Sequence, residues 1–282
     1  MVFAFCLFIL SLADSTLTTI VESSEQLFRS AVSLSQSADG KVFVVDQAVN
    51  TVNELASNNT IVKTIGGKGW GNYEFDNPSD VTSSFLLDIF VVDKNNRRIQ
   101  RYDKQLNIIQ TYDETMLAGF SGRFQPIASA LSSLGDLFIV EEDGKRILKS
   151  TLRGKVEREF GSFNEGVGAL LEPKDIAISQ QNEVVVLDKH VIMFYDLFGN
   201  YLRRIELSEK ERWKSLNLFG ELIIAISESR IEIISSETLE QRTIIPSSII
   251  GAMIKTPFTD ALFHQNTFLL LTETTLYRCA VQ

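Results

Sequence analysis

Short apolar runs return at a near-constant spacing along this chain. They read VFVVD ending at Asp46, IFVVD ending at Asp93, LFIVE ending at Glu141, VVVLD ending at Asp188, IIAIS ending at Ser227 and FLLLTE ending at Glu273. The intervals are 47, 48, 47, 39 and 46 residues. Runs this short, rich in Val, Ile and Phe and unbroken by polar residues, predict strands buried on both faces. A period of this length marks a repeat architecture in which one unit of several strands recurs.

Other elements keep step. A second short strand is predicted upstream of each run, at AVSLSQ from Ala31, SDVTSS from Ser79, IASALS from Ile127, KDIAIS from Lys174, SLNLF from Ser215 and DALFH from Asp260. A third follows each run after a few turn residues, and a fourth follows that, with turn signals such as Ser57-Asn58-Asn59 and Phe198-Gly199-Asn200 between them. The first three strands occur six times, but the fourth only five times. The missing one is supplied at the other end, where TLTTIVE at Thr16–Glu22 precedes the first repeat. A ring of four-stranded sheets closed by a strand from the opposite terminus accounts for both counts and leaves no open edge. The predicted fold is all-β, a six-bladed β-propeller with four-stranded blades closed by its N-terminal strand, forming one domain over residues 14–282.

The stretch GKGWGNYEFDNPSDV…DIFVVDKNNRRIQRYD, Gly67 to Asp103, carries spaced glycines (Gly67, Gly69, Gly71), an aromatic (Phe75), Pro78, and a V-x-D strand end (Val91, Asp93). Asn96, Arg98, Ile99, Gln100 and Tyr102 follow. This segment resembles an NHL repeat. Repeats beginning near Pro126 and Pro173 match more loosely, and those after Trp213 match by period alone. The Gly-His and Trp-Asp signatures of WD40 propellers are absent. The resemblance implies protein interaction more often than catalysis. Propeller lyases that resemble the family use a histidine-rich zinc site, and two histidines, His190 and His264, fall short of that pattern.

Composition fits a globular chain: 282 residues, 44% hydrophobic and 22% charged. The net charge of −9 repels phosphate backbones, so nucleic acid is not an expected partner. The basic clusters Asn95–Arg98 and Tyr201–Arg204 are read as a solvated turn and an edge strand. Residues 1–13 hold an apolar run too short to span a bilayer and ending in small residues, as in a secretory signal peptide, although no Lys or Arg precedes it. The expectation is an extracytoplasmic chain, periplasmic or secreted, with no transmembrane segment after the signal. A mature chain would keep only Cys279, which excludes an internal disulfide and a Cys/His metal site.

The acidic residues closing the apolar runs are expected to accept backbone N–H groups of the turn that follows. The glycines near Gly67 and Gly161 lack the Gly-Lys-Ser/Thr of a phosphate-binding loop and are read as blade connections. Asp80, Asp175 and Asp260 each begin an innermost strand, with Pro78, Pro173 and Pro257 just upstream. Innermost strands line a propeller's channel, so these carboxylates are either solvated at its rim or able to gather round a hard cation such as Ca²⁺. Trp70 and Tyr73 lie in a connection and either grip a ligand or tuck against a blade. No catalytic residue and no resident cofactor is expected. The favoured function is a monomeric, secreted, non-enzymatic scaffold binding a protein or glycan, with Asp80, Asp175, Asp260, Trp70 and Tyr73 as candidate ligand-binding residues. The alternative is a metal-dependent (Ca or Zn) lactonase or lyase working in the channel.

Overall fold

The structure is a computed structural model describing residues 17–24, 26–83, 88–236, 238, 241–244, 254, 256–264 and 267–281. Six four-stranded antiparallel sheets form the blades of a propeller. The innermost strands are Ala31–Gln36, Pro78–Ser83, Pro126–Leu131, Pro173–Ile178, Trp213–Phe219 and Phe258–His264, in blades 1 to 6. Each lies against the innermost strands of the two neighbouring blades, and blade 6 returns to blade 1. The sixth blade takes its outermost strand, Leu17–Ser24, from the start of the chain, antiparallel to Leu276–Val281. The expected closure is thus present. Residues 1–13, read as a signal peptide, lie outside the described residues. No described helix is long and apolar enough to cross a membrane.

Each apolar run is the second strand of a blade. Side chains alternate across a strand, so successive residues feed two different cores. Val42 and Val44 pack with Leu269 and Leu271 of blade 6, while Phe43 and Val45 pack with Val81 and Val91 of blade 2. Every blade boundary carries such a cluster. The unbroken apolar run follows directly: a blade has a neighbour on each face, so neither set of alternate residues meets water. Pro78, Pro126 and Pro173 each open an innermost strand, where a missing N–H costs no ladder bond.

The carboxylates that close these runs are structural, but with different partners from those expected. Asp46 accepts from the N–H groups of Arg29 and Ser30, Asp93 from Asp76, and Asp188 from Leu171 and Glu172. All of these lie in the connection entering the blade, not in the following turn. Glu141, whose side chain is one carbon longer, does bond its following turn, at Asp143 and Gly144. In blade 2, Arg98 bonds Asp93 at 2.8 Å and also the carbonyls of Trp70, Gly71 and Glu74. The glycine-rich connection is therefore folded around a buried guanidinium, and it cradles no phosphate.

Candidate functional site

The innermost strands surround a cavity of about 350 Å³ along the ring axis. All six carry the same irregularity: pairing with the second strand slips by one residue next to the first position, as between Pro78 and Asp80 or Phe258 and Asp260. A bulge re-aims the side chain after it. The residues at this equivalent place are Ser33, Asp80, Ala128, Asp175, Ser215 and Asp260, in blade order. Carboxylates thus occupy alternate blades, in an approximate threefold arrangement about the axis.

Each carboxylate reaches across a blade boundary. Asp80 accepts from the Ser129 N–H of blade 3, Asp175 from the Leu216 N–H of blade 5, and Asp260 from the Leu34 N–H of blade 1, at 3.0, 2.7 and 2.8 Å. The serines between them complete the ring. Ser33 donates to Asp80 at 3.0 Å and Ser215 to Asp260 at 2.8 Å. Asn217 and the Ala261 N–H add two more donors to Asp260. Five of the six boundaries are clasped in this way. The exception lies between blades 3 and 4, where Ala128 brings no hydroxyl and the second oxygen of Asp175 takes only its own neighbour's N–H, that of Ile176. Replacing Ala128, which is buried, by Ser should place a donor against Asp175 as Ser33 and Ser215 do elsewhere. We expect a gain of about 1 kcal/mol in denaturant unfolding, and a destabilised variant would contradict this description of the ring.

Among the described residues no cation forms an ion pair with the three groups. Lys174 and Lys214 also line the cavity, but they pair with Glu172 and Glu228. Burial therefore dominates the acidities. It lifts Asp80 to about 6 and Asp260 to about 7, against several donors that pull the other way. Asp175 is raised well above the ordinary carboxylate range, by burial first and then by the charges of Asp80 and Asp260. All three acidities are therefore shifted in the same direction, toward the protonated form. Both oxygens of each carboxylate already accept protein donors, and among the described residues no three His, Cys, Asp or Glu side chains gather round a common point.

The other candidate residues are dispersed. Trp70 is exposed and stacks over the Arg98 guanidinium, whose carbon lies 5.5 Å from the ring centre. Tyr73 is half-buried, rests 5.9 Å from the Tyr102 ring, and accepts the Ile108 N–H on its hydroxyl. Trp70 therefore presents a face to solvent, and Tyr73 joins the core between blades 1 and 2. His190 stands in a blade 4 turn facing Glu209 at 3.3 Å, and His264 ends the innermost strand of blade 6. Sequence reasoning singled out the three aspartates but missed Ser33 and Ser215. Superimposing the repeats on their period puts all six positions in one column and would have found both.

No protein-family model matches the chain. Over 140 residues, 48% of its length, it is 24% identical to the Drosophila melanogaster protein brain tumor, and over 139 residues 25% identical to the Caenorhabditis elegans B-box type zinc finger protein ncl-1. The chain is similar to NHL-repeat proteins. The matched segments span only 13% and 16% of those relatives. Among solved structures, virginiamycin B lyase from Staphylococcus aureus superimposes with a TM-score of 0.63 at 17% identity, over 89% of this chain and 80% of the lyase. A gluconolactonase from Xanthomonas campestris gives 0.69 at 10% identity, over 92% and 88% of the two chains. At these identities the likeness is one of fold.

Proposed function

We propose that the chain is a non-enzymatic binding propeller, a rigid disc that presents one of its faces to a partner. One observation carries this reading: both oxygens of each channel carboxylate accept hydrogen bonds that tie its own strand and a neighbouring blade together. Proton transfer to a substrate and coordination of a metal both compete with hydrogen bonds already made to the carboxylate oxygens. Here each oxygen faces a donor from its own strand or from a neighbouring blade. The similarity to NHL-repeat proteins supports the same reading. Fold alone does not decide it, since propellers serve many functions.

The solved-structure comparisons favour a second reading, a channel enzyme of lactonase or lyase type, because the proteins of similar fold are a lyase and a gluconolactonase by name. The polar cavity on the axis also supports it. Thermal melting separates the two. After treatment with EDTA the chain is titrated with Ca²⁺, Mg²⁺ and Zn²⁺. The binding reading predicts no change in melting temperature. A cation bound only by the folded chain at 100-fold over its dissociation constant stabilises by about 2.7 kcal/mol. A rise of that order, abolished by Asp175→Asn, would overturn the first reading in favour of the second.

A further inference from the structure

An asparagine followed two residues on by Ser or Thr, with any residue but Pro between them, is the acceptor sequence for an N-linked glycan. Two asparagines in the chain meet the spacing, in Asn58-Asn59-Thr60 and Asn77-Pro78-Ser79. Pro78 disqualifies the second. The fold agrees, because Pro78 opens the innermost strand of blade 2, and Asn77 before it is half-buried with its N–H bonded to the Asn50 side chain.

The first sequence lies at the tip of a hairpin. It joins the third strand of blade 1, Thr51–Leu55, to the fourth, Ile61–Gly66. Turns between third and fourth strands lie on the face opposite the connections that enter the innermost strands. Two backbone bonds close the turn, from the Asn59 N–H to the Ala56 carbonyl at 3.0 Å and from the Ala56 N–H to the Thr60 carbonyl at 2.9 Å. Asn59 takes a left-handed backbone conformation, with φ at 58°, which Asn adopts more readily than most residues.

The two adjacent asparagines have opposite surroundings. Asn59 is buried, and its side-chain oxygen accepts from the Arg278 guanidinium of blade 6 at 2.6 Å. This bond pins the turn across the seam between the first and last blades. Asn58 is exposed, as are Ser57 and Thr60. The Thr60 hydroxyl and N–H both donate to the Asn58 Oδ1, at 2.7 and 3.3 Å. The amide is thus held by its oxygen, and among the described residues its Nδ2 donates no hydrogen bond. An N-linked glycan needs an exposed asparagine whose amide nitrogen the fold does not use, and Asn58 meets both conditions.

We infer that Asn58 carries an N-linked glycan. In the transfer, the Asn58 Nδ2 bonds to the anomeric carbon of an oligosaccharide carried on a lipid diphosphate. The bond from that carbon to the diphosphate oxygen breaks, and the lipid diphosphate leaves with the electron pair. The amide nitrogen gives up one proton to a base of the transferase. A chain meets this donor on entering a secretory compartment. The inference therefore rests on reading residues 1–13 as a secretory signal, and it holds whether the propeller binds a partner or a substrate. The glycan stands beside the outermost strand of blade 1, an open edge on which Val62 is 57% exposed, and screens that edge from pairing with another chain.

The test expresses the full chain from Met1 in animal cells, with medium and cell fractions digested by peptide-N-glycosidase. We expect the secreted chain to migrate faster after digestion, and peptide mass spectrometry to read the conversion Asn58→Asp that the glycosidase leaves. Asn58→Gln and Thr60→Ala should each abolish the shift, and Thr60→Ser should keep it. Thr60→Ala leaves Asn58 in place, so its effect reports recognition of the acceptor sequence. Both side chains are exposed, so unchanged melting is the control for folding. A secreted chain that shows no shift, or a shift that survives Asn58→Gln, would sink the assignment of this site. A chain retained unmodified in the cytosol would sink the inference together with the signal reading, and leave the binding reading untouched.

Discussion

Asp260→Ala is expected to cost about 3–5 kcal/mol in denaturant unfolding, the largest loss of any single channel substitution. Its carboxylate takes four hydrogen bonds, from Leu34, Ser215, Asn217 and Ala261. They come from both neighbouring blades and from its own strand. One of the two boundaries is the seam where the chain's first and last blades meet, joined by no continuous chain along the axis. With the carboxylate removed, the buried N–H groups of Leu34 and Ala261 lose their acceptor, and each orphaned donor costs about 1–3 kcal/mol. The serine hydroxyl can rotate to another acceptor, and the Asn217 amide keeps the Ala261 carbonyl at 2.9 Å. Asp80→Ala should cost less, because two of its three cross-residue donors are hydroxyls, from Ser33 and Thr82. A loss below about 1 kcal/mol for Asp260→Ala, the centre of the range for ordinary substitutions, would mean that the carboxylate does not hold the seam.

Stability should fall as pH rises from mild acid to neutrality. The folded-state pKa values of Asp80 and Asp260, about 6 and about 7, lie above the ordinary value of 3.8, and Asp175 is raised in the same direction. Between 3.8 and these values the folded chain binds more protons than the unfolded one. Unfolding then releases protons, and its free energy decreases with pH. The contribution is complete below 3.8 and is lost progressively through about 6 for Asp80 and about 7 for Asp260. A tenfold difference in acidity between the folded and unfolded chain corresponds to about 1.4 kcal/mol, so the loss amounts to several kcal/mol. Exposed carboxylates act in the opposite sense. Asp39, held down by the Ser37 hydroxyl, and Glu172, held down by Lys174, lose their partners only as pH falls toward and below the ordinary range. The maximum therefore belongs in mild acid, near about pH 4–5. Melting temperatures measured from there to about pH 8 should decline, and Asp175→Asn should flatten the decline. A melting temperature that is constant or rises over the same range would show that the carboxylates ionise freely.

The blade plan was legible because two physical facts write it into the chain. A strand with a blade on each face is apolar at every position, so VFVVD and its relatives announce themselves, and the counting of fourth strands located the closing strand. The clasp was only half legible. Asp80 stands out, but its partner Ser33 lies 47 residues upstream, one full repeat away, and nothing local to either residue marks the pair. The bulge that aims both is a backbone feature shared by strands as different as PSDVTS and WKSLNLF. The partners of Asp46, Asp93 and Asp188 were misplaced for a similar reason: the connection folds back over the blade end, and a short side chain reaches that layer before it reaches its own turn. Trp70 and Tyr73 were indistinguishable in sequence. The Arg98 guanidinium lifts one onto the surface, and the Tyr102 ring takes in the other.

The central claim is that the channel carboxylates bind the ring together and do not serve a metal or a substrate. Carbon-13 NMR titration of the aspartate carboxyl groups tests it most directly, with Asp80, Asp175 and Asp260 assigned by substitution to Asn. The account predicts that Asp80 and Asp260 titrate near about 6 and about 7, with Asp175 well above the ordinary range, and that excess Ca²⁺ leaves all three unmoved. Midpoints at or below 3.8, or a downward movement on adding Ca²⁺, would contradict it.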